Sequence, residues 1–254
     1  MTASMKSRMI SGEAVFGTWC MLPTAGVVDV IARTGIDFVV IDLEHGSISL
    51  ETAEEMVRAA QLHGCQPIIR VGDDQENTIL HALETNAMAV MVPHVADASS
   101  ARRIVNASRY APLGARGLSP YTSCHGYTHD QLDTSLKRHA RDTLVGVLVE
   151  GTAGINNLGE ICAVEGIDLV YLGMYDISQS VGLPGQLEHP LVMEELAKCL
   201  EVIKSNKILA GTFAREIEAA REFASMGFSL VAYTADSYAL TQYFKEAELR
   251  FRRL

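Results

Sequence analysis

Short, almost unbroken apolar runs alternate along the chain with longer stretches in which apolar residues return every three or four positions. These are the periods of buried strands and amphipathic helices, since a strand reverses its side chains at every residue and a helix turns in about 3.6. The runs predict strands over Val15–Trp19, Phe38–Asp42, Pro67–Val71, Met88–Val92, Leu144–Glu150, Leu169–Gly173, Ile208–Thr212 and Ser229–Tyr233. Between them the helical pattern covers Glu51–His63, Gln75–Thr85, Ala98–Ser108, Pro190–Ser205 and Ala214–Met226. Gly35, Gly64 and Gly227 stand where helices should end, the usual place for a left-handed residue.

Strands apolar on both faces, each followed by a helix, belong to a parallel sheet with helical crossovers. Eight such repeats in 254 residues fit a closed barrel, an architecture that occupies roughly 250 residues in one piece. A doubly wound open sheet calls for a Gly-rich phosphate turn, and no Gly-x-Gly-x-x-Gly or Walker A sequence follows any strand. The expected fold is therefore an α/β TIM (β/α)8 barrel, a single domain over residues 1–254. Two segments stand apart from the repeat. Leu113–His129 (LGARGLSPYTSCHGYTH) lengthens one interval and reads as a lid, a binding loop or a plain surface irregularity. Tyr238–Leu254 carries Tyr, Leu and Phe at helical spacing, an apolar stripe to be covered by its own barrel or by a partner subunit.

With 48% hydrophobic and 20% charged residues the chain can bury a sizeable core. Its 21 basic residues against 31 acidic ones give a net charge of -10, which repels a polyanion and excludes nucleic acid as a natural partner. No apolar run is long enough to span a bilayer and the N-terminal segment has no apolar signal core, so a soluble cytoplasmic protein acting on small molecules is expected. The cysteines Cys20, Cys65, Cys124, Cys162 and Cys199 are scattered and odd in number. They read as reduced thiols and form neither a disulfide framework nor a zinc cluster.

Chemistry in such a barrel gathers at the C-terminal ends of the strands, where charged residues need a reason to be near an apolar interior. The candidates there are Asp42, Glu44, His45, Arg70, Glu150, Asp176, Thr212, Tyr233 and Asp236. Glu150 and Asp176 follow adjacent strands, and two carboxylates at one rim suit a hard divalent ion, although Asp176 is also placed to cap the next helix. Arg70 either bridges to a neighbouring carboxylate or holds an anionic substrate with its planar fork. His45 has the side-chain chemistry for proton transfer near neutrality. All six lysines (Lys6, Lys137, Lys198, Lys204, Lys207 and Lys245) lie away from the strands' C-terminal ends. A Schiff-base aldolase is thereby excluded, and carbon–carbon chemistry would need a metal as its electron sink.

The turn IDLEHG (Ile41–Gly46), the strand IIR (Ile68–Arg70), RYAPLGARG (Arg109–Gly117), Val149–Glu150 with Asn157–Leu158, LGMYDIS (Leu172–Ser178) and GQLEHP (Gly185–Pro190) resemble the HpcH/HpaI aldolase/citrate lyase family in order and spacing. The resemblance implies a divalent metal-dependent (Mg²⁺, Mn²⁺ or Co²⁺) class II aldolase acting on a 2-oxo acid through a pyruvate-type enolate, with an aldehyde or acyl acceptor as second substrate. It implies a homo-oligomer, a hexamer built as a trimer of dimers, with the last helix exchanged between subunits. By position it puts metal ligation on Glu150 and Asp176, catalysis on His45, Arg70, Asp42 and the histidine-supporting acid Glu84, and substrate contacts on Arg70, Tyr175, Asp176 and Thr212. Leu148 stands where the family usually has Gln, Met174 where it has Pro, and Glu84 with Asn86 where it has an Asp-x-Gly turn. Those departures point to an altered pocket and leave a condensing enzyme like the citrate synthase of siderophore pathways as the alternative. A phosphate isomerase is disfavoured by the Gly-poor turns GTFARE and YTADSY, and a barrel kept only for assembly by the joint presence of the four site residues.

Overall fold

The computed structural model describes residues 3–253, so Met1, Thr2 and Leu254, the outermost positions of the expected domain, lie outside the described residues. Eight parallel strands close into a barrel in sequence order: β1 (Val15–Cys20), β2 (Phe38–Asp42), β3 (Gln66–Arg70), β4 (Ala89–Val92), β5 (Leu144–Val149), β6 (Leu169–Leu172), β7 (Leu209–Ala214) and β8 (Leu230–Ala235), with β8 paired back to β1. Each expected strand is present, with ends displaced by up to two residues.

The alternation of strand side chains produces two cores. Trp19, Phe38, Val40, Ile68, Met91, Leu148, Leu169, Tyr171 and Leu230 fill the barrel, while Val39, Ile41, Ile69, Val90, Val147 and Val170 pack outward beneath the helices. That is why the strands read as continuous apolar runs. Gly17 must be a glycine, because a Cβ there would stand 2.4 Å from the Phe38 ring. Helix Met5–Ile10, absent from the sequence expectation, sets Met5 and Met9 into the interior core and closes the barrel's N-terminal end. Lys6 fastens it through an ion pair to Asp168 at 2.8 Å.

The outer helices are Ala25–Ala32, Leu50–Gln61, Glu76–Glu84, Ala98–Ser108, Leu132–Asp142, Pro190–Ser205 and Ile217–Met226, with shorter ones after β5 and β6. Ser49 and Asp97 cap two of them by accepting from the backbone N–H groups of Thr52 and Ser100. Among the described residues no helix is long and apolar enough to cross a membrane. The Leu113–His129 stretch is folded onto the barrel's flank, away from the strands' C-terminal ends: Arg116 reaches Glu84 at 2.8 Å, and Arg138 donates to the Cys124 carbonyl at 2.6 Å. It is not a lid over this chain's own rim. The last helix, Asp236–Arg252, buries only Asp236 and leaves Tyr243, Phe244 and Phe251 between 64% and 76% exposed.

Candidate active site

Asp42 and Arg70 end two neighbouring strands and are register partners, both on the interior face. Their proximity produces a two-pronged pair: Arg70 Nε donates to Asp42 Oδ1 at 2.9 Å and Nη2 to Oδ2 at 2.5 Å. Asp42, fully buried, also accepts from the backbone N–H groups of Glu44 at 3.0 Å and His45 at 3.3 Å, and so shapes the turn that follows β2. The guanidinium lies 4.4 Å above the Trp19 ring, whose Nε1 donates to the Tyr171 hydroxyl at 3.3 Å. Burial pushes that hydroxyl's pKa up, so it stays protonated. Arg70 Nη1 faces Glu44 Oε2 at 3.1 Å, and this buried Glu44 oxygen has no hydrogen-bond partner among the described residues.

Glu150 follows β5 on the same interior parity as Leu148, which is buried beneath it. Its Oε2 accepts from the backbone N of His94 at 3.2 Å and lies 2.8 Å from that residue's Nδ1. Asp176 stands in the first turn of helix Met174–Ser180, and Gly173 gives it room: a Cβ on Gly173 would lie 2.7 Å from Asp176 Oδ2. Neither carboxylate caps a helix through its side chain, which removes the capping explanation for Asp176. The Glu150 carboxyl is held above the ordinary range by burial first, with the negative charges of Asp176 and Glu44 adding and His94 opposing. Two carboxylates that follow neighbouring strands stand at one rim, the Asp176 oxygens without a hydrogen-bonded donor among the described residues, and form an oxygen-only donor set that fits a hard divalent ion.

The other candidates divide. Tyr175 is half-exposed beside Asp176. His45 is exposed, and among the described residues its ring takes no hydrogen bond. Thr212 is corrected: it faces outward, fully buried, donating to the Leu172 carbonyl at 3.2 Å, while Phe213 takes the interior position on β7. Glu84 ends its helix at the barrel's opposite face, engaged by Arg116 and Cys124, so this chain does not bring it to its own His45. Asp236 ties β8 to the β1 turn by accepting from Met21 N at 2.9 Å and Leu22 N at 3.1 Å.

The sequence reading gave no role to Trp19 or His94. His94 stands two residues past the end of β4, the same rim rule that selected Glu150, and it could have been found that way. Among the described residues Cys124, His125 and His139 also gather ligand atoms within 4.8 Å. Every imidazole nitrogen there already has a partner: Tyr110, Ser135, Thr143 or the Cys124 carbonyl. The Arg116 guanidinium lies 3.5 Å from the Cys124 sulfur, a further argument against a cation. A cavity of about 780 Å³ opens between Met174, Leu187, Phe213 and Phe223 and includes neither Glu150 nor Asp176.

The sequence profile of the HpcH/HpaI aldolase/citrate lyase family matches residues 16–242. The chain belongs to this family. It is a carbon–carbon lyase. A 2-keto-3-deoxy-L-rhamnonate aldolase of Escherichia coli O157:H7 is 29% identical over 237 residues, 93% of this chain and 88% of the relative. The crystal structure of the citrate synthase SbnG is 29% identical, covers 98% of each chain and superposes with a TM-score of 0.88. An HpcH/HpaI family protein of Burkholderia cenocepacia J2315 is 26% identical, covers 99% of this chain and 100% of its own, and gives a TM-score of 0.90.

Proposed function

We propose that this family member is a divalent metal-dependent aldolase that cleaves a 2-oxo-4-hydroxy acid to pyruvate and an aldehyde, or joins the two. The observation that carries the reading is the placement of Glu150 and Asp176 at one rim after neighbouring strands, with the Glu150 carboxyl held above the ordinary range by burial and by Asp176. These two residues would hold the ion, which when bound supplies Lewis-acid charge to the enolate. Arg70 stabilises the same oxygens by donating hydrogen bonds from a guanidinium that Asp42 and Trp19 keep in place. His45, with its ring free, takes the proton of the 4-hydroxyl as the bond breaks and returns it in synthesis. Tyr175 contacts the acceptor half at the mouth. Glu84 can support His45 only from another subunit, which accords with a homo-oligomer. EDTA should abolish activity and Mg²⁺, Mn²⁺ or Co²⁺ restore it, while borohydride with pyruvate traps nothing; activity that survives exhaustive chelation refutes the reading.

The likeness to SbnG supports a second reading, condensation of an acyl thioester with oxaloacetate. Product analysis with oxaloacetate and acetyl-CoA separates the two, since only condensation releases free coenzyme A.

A further inference from the structure

His94 has the least explained geometry at the rim. Its backbone is left-handed, at φ 59°, and its ring spans two acidic side chains carried by other strands. Nδ1 lies 2.8 Å from Glu150 Oε2 and Nε2 lies 2.8 Å from Glu44 Oε1, while the backbone N–H donates to the same Glu150 oxygen at 3.2 Å. The side chain is 68% exposed, so packing does not hold it there; the two carboxylates do. Glu150 Oε2 accepts the His94 backbone N–H and has the ring Nδ1 beside it at 2.8 Å, so a cation approaching that oxygen meets the ring. Oε1 is the oxygen left clear of it.

We infer that His94 competes with the divalent ion for Glu150: the ring occupies the carboxylate until the ion takes it, and the exchange frees an imidazole at the mouth of the barrel. The inference rests on the assignment of Glu150 and Asp176 as the ion's ligands. Its chemical sense lies in what each group keeps. Before exchange, the ring stands between Glu44 and Glu150. After it, Glu44 retains Arg70 Nη1 at 3.1 Å, Glu150 has the ion, and the ring is available to an oxygen of the second substrate. His94 is thus a positioning residue for the Glu150 carboxylate and sets the ion's affinity.

The test is a Mn²⁺ titration without substrate, following the free ion by electron paramagnetic resonance, on the wild type and on His94→Asn, His94→Gly and Glu150→Gln. Asn and Gly both tolerate the left-handed backbone, so neither variant should disturb the fold. Both His94 variants should bind Mn²⁺ about two- to fivefold tighter, the scale of one exposed ion pair, and Glu150→Gln should lose binding. Equal or weaker affinity in the His94 variants overturns the competition. If Mn²⁺ binds the wild type and Glu150→Gln alike, the ligand assignment itself is refuted, and the competition with it.

Discussion

Arg70 is held on three sides: Asp42 takes one edge of the guanidinium, Trp19 lies under its face, and Glu44 stands by Nη1. A lysine keeps the charge but cannot reproduce that planar arrangement. Oxaloacetate decarboxylation needs only the ion and enolate stabilisation, so Arg70→Lys should lower its rate by about 10²-fold or more, the loss seen when one such donor is removed. His45 has the opposite surroundings, exposed and with a free ring. Decarboxylation involves no acceptor hydroxyl, so His45→Ala should depress aldol cleavage strongly and spare decarboxylation to a much greater degree. Rates for both reactions in both variants decide the matter. Equal damage to the two reactions by His45→Ala would mean that His45 organises the rim instead of moving the proton.

The turn between β6 and its helix depends on Gly173, beside which the Asp176 carboxylate lies. Gly173→Ala should push Asp176 aside, weakening divalent-ion binding in calorimetry while thermal unfolding changes little; unaltered binding would take Asp176 out of the ligand set. On the flank, burial pushes the His139 imidazole down to about 4 from its ordinary 6.5. The native state therefore disfavours the protonated ring. The stability this lends is complete above about pH 6.5 and is lost as pH falls toward 4, by about 3 kcal/mol at most. Chemical denaturation across that range should show the decline, with a shallower slope in His139→Leu. The strands, and with them the rim positions of Glu150, Asp176 and Arg70, are legible because double-sided burial leaves an unmistakable apolar run. Thr212 was misplaced because β7 ends two residues later than its pattern implied, and the residue on the interior face is Phe213. The Leu113–His129 segment was opaque for a different reason: Arg116, Cys124 and Glu84 meet across a long sequence separation that no local period records.

The terminal helix leaves a row of aromatic side chains in water and touches its own barrel only near its start. A second copy of the chain is the proposed cover. Sedimentation should give an assembly at micromolar concentration, and Phe244→Glu with Phe251→Glu should dissociate it; a monomeric wild type overturns the proposal. The position of Glu84 adds a sharper test. If it supports a His45 in another subunit, co-expressing His45→Ala with Glu84→Gln should restore part of the activity that each lacks alone, because mixed assemblies contain sites with both residues intact. No restoration would leave Glu84 to the Arg116 contact alone.

Helix Met5–Ile10 has a consequence for the order of events. With that end stoppered and the interior filled by side chains, substrates approach the site only from the C-terminal rim. There Arg70 and Asp42 are buried, while Tyr175 and His45 are exposed above them. Whatever binds below must arrive before its companion and depart after it. Synthesis should therefore be compulsorily ordered, the oxo acid first. In cleavage the aldehyde should leave ahead of pyruvate, so pyruvate should inhibit competitively against the aldol substrate and the aldehyde noncompetitively. A random-order pattern in product inhibition would show that the rim is wide enough for both to pass.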